Sequence, residues 1–291
     1  MKQEERAGYL FLLPSLIGTS VFIVVPIAMS LFLGFTDWNP MQGLSSMHLT
    51  GFKNYKQLFH DPRILAAIKN NIMYTFSYVP ITISLALVFA SLLNKFVFMK
   101  VPLRMMIFMP YVSSLVSVAT VWMVLLYPDN GPINAILTNF FNIKTPPTWF
   151  ISSKYALTGL VMMGIWHDVG YHVIIILSNM KGLSHEVYES AEIDGANAIQ
   201  TFFKITIPML TPSIFFCLTL ATINSFKIFD QVNIITEGGP GFSTTVLVQS
   251  VYYYAFKEFR ISYATAAAML LFVIIYIFSS VLQKLERRLS Y

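Results

Sequence analysis

Charged residues are scarce in this sequence. Only 11% of its 291 residues are Asp, Glu, Lys or Arg, and 56% are hydrophobic. A soluble domain carries about 25% charged residues. The deficit, with a mean hydropathy of +0.64, excludes an ordinary water-soluble domain and points to a polytopic membrane protein. Cysteine is nearly absent. Cys217 stands alone in an apolar run, which excludes an intrachain disulfide framework. The formal charge of +5 is modest. Loop lysines and arginines facing lipid headgroups account for it better than nucleic acid does. A signal peptide is not expected either. Glu4 and Glu5 spoil the basic n-region, and no small-x-small site closes the apolar run.

Catalytic motifs are missing as well. There is no GxxxxGK[ST] phosphate loop, so this chain is not expected to hydrolyse nucleotide itself. No GxSxG elbow occurs. His185-Glu186 opens an HExxH pattern, but Glu189 stands where its second histidine belongs. The nearest other histidine pair, His167 and His172, is spaced i, i+5 and shares no helix face, so no metal is expected.

What the chain does have is apolar runs of membrane length. A helix needs about 20 mostly apolar residues to cross about 30 Å of hydrocarbon. Six segments qualify: 9–35, 72–93, 105–127, 155–177, 209–229 and 263–282. Pro14 and Pro26 lie in the first, Pro80 in the second and Pro110 in the third. Prolines are tolerated in spans because neighbours satisfy the freed backbone groups. The expected fold is all-α, with residues 1–291 forming one transmembrane domain. Six spans put both termini on one side. With the N-terminus inside, the inner segments carry ten Lys and Arg and the longer outer loops eight. That density favours both termini in the cytoplasm. Residues 128–153 read as turns around a short helix from Ile133 to Phe141. The piece VLVQSVYYYAF, about half a membrane thick, reads as interfacial or re-entrant.

The long exception to apolar character lies at 181–208. Glu186, Glu189, Glu192 and Asp194 crowd together just before Gly195. His185 to Ile193 has the length of two helical turns, with Val187, Ala191 and Tyr188 on one face and the carboxylates around it. Gly195 is suited to end that helix in a left-handed conformation. A second helix is expected over 196–206, with Asp194 capping it or pairing with a basic partner, and Pro208 handing it to the fifth span.

This stretch resembles the EAA loop of bacterial ABC importer permeases: Glu-Ala-Ala, three residues, Gly, nine residues, Ile-x-Leu-Pro. Here Glu189, Ser190, Ala191, Gly195, Ile205, Ile207 and Pro208 keep the spacing, with Ser190 and Ile207 as departures. Asp194-Gly195-Ala196 and Phe203 are typical of the carbohydrate-uptake branch, which includes maltose and glycerol-phosphate permeases. Phe229-Asp230 followed by Thr236-Glu237-Gly238-Gly239-Pro240 resembles that branch's T-x-GGP loop. The resemblance implies an ABC type I importer permease working by alternating access. It implies that Glu189, Ala191, Asp194, Gly195, Ala196 and Pro208 couple the spans to a cleft on a cytoplasmic ATPase. Two ATPase copies would bind ATP and Mg, and this chain would hold no cofactor. A second, homologous permease and an extracytoplasmic solute-binding protein complete the expected assembly in the bacterial cytoplasmic membrane. Glycerol phosphate is the alternative solute. A membrane-embedded enzyme would need a convergent catalytic set, which is not found. A channel would not need the loop.

Polar residues inside spans mark a candidate solute path, because each ionisable one costs about 3 kcal/mol or more at the bilayer centre. Asn224, Lys227 and Gln231 are spaced i, i+3, i+7, as on one helix face, with Asp230 placed to neutralise Lys227. They form either a hydrogen-bonding wall for a hydroxylated solute or a structural ion pair between helices. Trp166, Asp168 and Tyr171 offer either aromatic stacking for a sugar ring or an interhelical polar contact. Asp168 and His172 stand i, i+4 apart. Ser113, Ser114, Ser117 and Thr120 read as close helix packing.

Overall fold

In a computed structural model, described for residues 2–43, 46–95 and 100–289, the apolar runs are helices. In chain order they are α1 (Lys2–Thr19), α2 (Val25–Leu33), α3 (Lys53–Leu58), α4 (Pro62–Lys95), α5 (Lys100–Val112), α6 (Leu115–Leu125), α7 (Pro132–Asn139) and α8 (Ala156–Met180). Then come α9 (His185–Ile193), α10 (Ala198–Thr201), α11 (Ile207–Met209), α12 (Thr211–Phe226), α13 (Asp230–Ile235), α14 (Leu247–Tyr252) and α15 (Ile261–Leu289). Among the described residues, extended pairing is limited to one bridge, Thr36 to Leu49. The side chains of Lys2, Arg6, Lys95 and Lys100, counted above as inner cations, and of His185 lie outside the described residues.

Five helical stretches are long and apolar enough to cross a membrane: Phe11–Leu33, Pro62–Asn94, Ala156–Met180, Thr211–Ile235 and Ile261–Leu289. The pair Val101–Val112 and Leu115–Leu125 makes a sixth if counted together, but it bends by 98°. The expected third span is therefore broken, at Ser113 and Ser114. Ser113 Oγ donates to Met109 O at 3.0 Å, taking the carbonyl its own N–H would use in an α-helix. That N–H turns to Pro110 O instead, at 3.1 Å. A serine competing with the backbone in this way bends helices. Ser114, Ser117 and Thr120 are exposed, so the expected close packing of these hydroxyls is not seen within the chain. The expected short helix at 133–141 is α7, and the VLVQSVYYYAF piece is α14 followed by a π-turn.

The chain divides into two compact units. The first comprises residues 1–65 and 250–272. Its long N-terminal helix is interrupted by a π-turn, Ser20–Val24, just before Pro26. A proline ring clashes with the carbonyl four residues back. For Pro26 that carbonyl is Phe22's, and the wider turn accommodates it. Phe11 is 86% and Phe22 79% exposed, so this helix finds little cover in its own chain.

Asp61 ties this unit's outer elements. It caps α4 by accepting from the backbone N–H of Arg63 at 2.9 Å and of Ile64 at 3.4 Å. It also accepts from Tyr254 Oη at 2.5 Å and Tyr263 Oη at 2.7 Å. Burial pushes the Asp61 pKa up, but these four hydrogen bonds outweigh it and hold the carboxyl below its ordinary value. A depressed carboxyl pKa stabilises the fold above its unfolded value of about 3.9 and loses that contribution as pH falls through the folded value. Tyr254→Phe combined with Tyr263→Phe should therefore move the acid-unfolding midpoint, followed by circular dichroism in detergent, to higher pH. An unmoved midpoint would contradict this assignment.

The second unit comprises residues 66–249 and 273–291. Its core is built around α8. Leu160, Val173, Ile176 and Leu177 of that helix pack with Tyr74, Tyr78, Ile83, Ala86 and Ala90 of α4, and with Cys217 and Ala221 of α12. Small residues let these helices approach closely. Gly170 is the extreme case, because a Cβ there would lie 2.0 Å from Ile107 O on α5. Asn71, fully buried, joins three segments. Its amide donates to Ser225 O and Phe226 O, at 3.5 and 3.4 Å, and its Oδ1 accepts from the Leu247 N–H at 2.8 Å.

Candidate functional site

The 181–208 loop is built as two short helices. α9 covers the expected 185–193. It ends in a Schellman motif: the Ala196 N–H bonds Ala191 O at 2.9 Å, and the Gly195 N–H bonds Glu192 O at 3.0 Å. Gly195 has φ +75°, the left-handed conformation its sequence position suggested. The next helix starts later than expected, at Ala198, and Asp194 does not cap it. Asn197 does, accepting from the Gln200 N–H at 2.9 Å while Gln200 Oε1 accepts from the Asn197 N–H at 2.9 Å. This capping box was legible in the Asn-x-x-Gln spacing. A π-turn, Phe202–Thr206, then precedes Pro208 as another precedes Pro26. Here it relieves the proline ring of Lys204 O. Leu210, at φ −91° and ψ 2°, breaks the path into α12.

The exposed face matches the one the sequence suggested only in part: Val187 is 38% exposed and Tyr188 half-buried. Ala191 is only 7% exposed and turns inward. With Asp194, Gly195, Ala196, Gln200 and Lys204 it lines a cavity of about 510 Å³ inside the loop. The reason is the Schellman turn, which folds the chain after Gly195 back beside α9. Tyr188 adds a side-chain tie, its hydroxyl 3.2 Å from that of Thr206. Glu186, Glu189, Glu192, Asp194 and Pro208 are exposed. So are Ile193 at 86%, Ile199 at 70% and Phe203 at 62%. The outward apolar set is thus Ile193, Ile199 and Phe203, with Val187 less exposed beside them. Its signal was present in the sequence, since Ile193 stands between Glu192 and Asp194.

The polar residues of the spans separate into two groups. Asp168 on α8 accepts from Tyr78 Oη at 2.5 Å and from His167 Nδ1 at 2.5 Å. Tyr78 stacks on Tyr74 with ring centroids 5.3 Å apart, and Gln231 Nε2 donates to Tyr74 Oη at 2.9 Å. Tyr171 stacks on Tyr111 at 4.6 Å, and Trp166 meets Trp122 edge-on at 6.0 Å. Gln231, Asp168 and the two α4 tyrosines therefore form one connected set. Tyr74, Tyr78 and Tyr111 stand among other aromatic and apolar residues and gave no distinct signal in the sequence. Of the two histidines near Asp168, His167 takes the bond, and Nδ1 of buried His172 has no hydrogen-bond partner among the described residues.

Asn224 and Lys227 stand apart from that set, exposed, while Gln231 is buried. The expected shared face fails because α12 stops at Phe226. Asn71 takes the carbonyls of Ser225 and Phe226, and the Lys227 N–H bonds Asn224 O in a tight turn at 3.0 Å. Among the described residues no ion pair joins Lys227 to Asp230. The Thr236–Pro240 loop is closed by hydroxyls: Thr245 Oγ donates to Gly238 O at 3.0 Å and Thr244 Oγ to Gly239 O at 2.8 Å. Among the described residues no group of three His, Cys, Asp or Glu is placed to hold a metal. The arrangement suits hydrogen bonding and ring stacking.

Residues 59–291 match the model of a family described as "Binding-protein-dependent transport system inner membrane component". The chain is 33% identical over 288 residues to the probable ABC transporter permease protein YesP of Bacillus subtilis (strain 168), spanning 98% of this chain and 91% of that one. It is 32% identical over 283 residues to the multiple sugar-binding transport system permease protein MsmF of Streptococcus mutans serotype c, spanning 97% and 95%. Its fold is similar to a chain in the crystal structure of a bacterial ABC transporter involved in the import of the acidic polysaccharide alginate. The TM-score is 0.84 over 99% of this chain and 98% of that one, at 20% identity.

Proposed function

This chain belongs to the family of binding-protein-dependent transport system inner membrane components, and on that premise we propose that it is the pore-forming permease of a carbohydrate importer. It is a multi-pass membrane protein. Both termini face the cytoplasm, which places the 181–208 loop there. A second, homologous permease completes the pore, and two copies of an ATPase hold ATP and Mg. A binding protein delivers the solute from outside. ATP binding moves α9, and the spans rotate to open the path outward; hydrolysis resets it. The carbohydrate assignment is supported by sugar permeases among the relatives, MsmF among them. The chemistry around Asp168 is compatible with it, because hydroxyls need hydrogen-bond partners and sugar rings stack on aromatic faces.

The observation that carries the coupling reading is the mechanical build of the loop. α9 is locked at Gly195 and tied to Thr206 through Tyr188, so a push on α9 reaches Pro208 and α12. Ile193, between two exposed carboxylates, is the residue a partner cleft would seat. Ile193→Cys should therefore crosslink to a cysteine in the ATPase cleft of the assembled complex, and Ala191→Cys, turned inward, should do so much less. Efficient crosslinking at 191 with none at 193 would contradict this docking face. One observation favours a phosphorylated solute as a second reading. Lys227 is exposed and makes no ion pair with Asp230. Competition of glycerol phosphate against sugar uptake separates the two.

A further inference from the structure

A second cavity shares no lining residue with the loop cleft or the Asp168 set. It measures about 510 Å³ and opens between α4 and α8. Its polar lining is Lys69, Asn70, Ser77, Ser153, Lys154, Thr158 and Ser243, and among the described residues no carboxylate lines it. Ser243 Oγ is buried, with no hydrogen-bond partner among the described residues. Lys69 stands about two turns into α4, and Lys154 just ahead of α8, which begins at Ala156.

Below the lysines the lining changes character. Met73 and Ile81 continue the Lys69 stripe down α4 at i+4 and i+12, with Ser77 between them. On α8, Leu157, Val161, Met162 and Ile165 run down the facing side. Met73 is 49% and Ile81 46% exposed, so the groove is open along its length. From Lys69 to Ile81 is twelve residues, about 18 Å at 1.5 Å each. One leaflet holds about 15 Å of hydrocarbon, half of the whole. A cationic, hydroxyl-bearing mouth above an apolar groove one leaflet deep has the dimensions of a single phospholipid.

We propose that this cavity is a binding site for an anionic phospholipid, its phosphate held by Lys69, Lys154 and the Ser243 hydroxyl and an acyl chain lying along Met73, Ile81, Val161 and Ile165. The groove commits the site to a lipid, because a free phosphate solute would leave the apolar stripe uncovered. With both termini cytoplasmic, the lipid belongs to the outer leaflet. The site does not depend on which solute the chain carries.

Native mass spectrometry of the purified full chain with its co-purifying subunits, titrated with dioleoylphosphatidylglycerol, dioleoylphosphatidylcholine or glycerol phosphate, tests this. Each lysine near a charged headgroup contributes about 5-fold in affinity, so Lys69→Gln with Lys154→Gln should weaken phosphatidylglycerol binding roughly 25-fold. Phosphatidylcholine binding should be weak and unchanged. Ile81→Trp, at an exposed position of the lining, fills the groove and keeps both lysines, and should lose phosphatidylglycerol too, whereas Lys69→Arg with Lys154→Arg should keep it. Equal binding of the two lipids, or undiminished phosphatidylglycerol binding by the double glutamine variant, would overturn the proposal. Displacement of phosphatidylglycerol by equimolar glycerol phosphate would reassign the lysines to a soluble phosphate. Normal sugar uptake by the glutamine variant would leave the transport reading standing on its own.

Discussion

Gly195→Val should abolish ATP-driven uptake, at least a ten-fold loss, while Gly195→Asn keeps most of it. The distinction follows from the backbone. Gly195 sits at φ +75°, and a Cβ there would meet no described residue within 4 Å. The obstacle to a side chain is therefore conformational. A left-handed conformation costs an ordinary L-residue about 1–2 kcal/mol and a β-branched one more, whereas asparagine tolerates it. Valine would also strain the two bonds of the Schellman turn, each contributing about 0.5–1.5 kcal/mol. α9 would fray from the segment that leads to Pro208, and motion of the ATPase would no longer reach α12. Uptake by membrane vesicles, with the amount of assembled complex measured alongside, checks this. If asparagine proved as damaging as valine, the glycine would be needed for close approach of the partner rather than for its own φ.

Gly170→Ala should destabilise the protein more than any other single methyl group added to α8. Its Cβ would stand 2.0 Å from Ile107 O, 2.7 Å from Ile107 C and 2.9 Å from Phe108 Cα. These are backbone atoms of α5, so no side chain can swing aside, and one helix must shift. Overpacking of this kind costs about 1–3 kcal/mol. A chain of this size loses about 2–4 °C of thermal midpoint per kcal/mol. Gly170→Val should be worse. The comparison is Gly18→Ala, where an added Cβ meets nothing within 4 Å and the midpoint should hold. Thermal unfolding of both variants in one detergent makes the test, and an unchanged midpoint for Gly170→Ala would contradict the tight crossing. The shift would also move Asp168 and Tyr171, which flank Gly170 on α8, so uptake should fall with stability.

Much of this architecture was legible because membrane helices announce themselves. Long apolar runs have no other stable form in lipid. α9 and the left-handed Gly195 were legible because helix length and a terminal glycine are local properties. Nonlocal partners defeated the reading elsewhere. α12 ends where Asn71, more than 150 residues away in sequence, takes the carbonyls of Ser225 and Phe226. No spacing around Asn224 and Lys227 encodes that. Asp168 is bonded by Tyr78 because α4 delivers a phenol to it, a partner 90 residues away in sequence. The inward turn of Ala191 depended on the path after Gly195, which a helical wheel of α9 alone omits. Two misses were avoidable. Asn197 with Gln200 spelled a capping box, and Ser113 three residues after Pro110 marked a weak point in the third span.

Under the proposed function, carbohydrate import is driven by motion received through the loop at 185–208. Its most direct measurement is the uptake of a labelled sugar, the one held by the cognate binding protein. The chain is reconstituted in lipid vesicles with its second permease, ATPase and binding protein. Accumulation should require ATP on the cytoplasmic side and should vanish when residues 186–196 are deleted, with the spans still inserted. Sugar flux without ATP, or uptake undiminished by the deletion, would contradict the account.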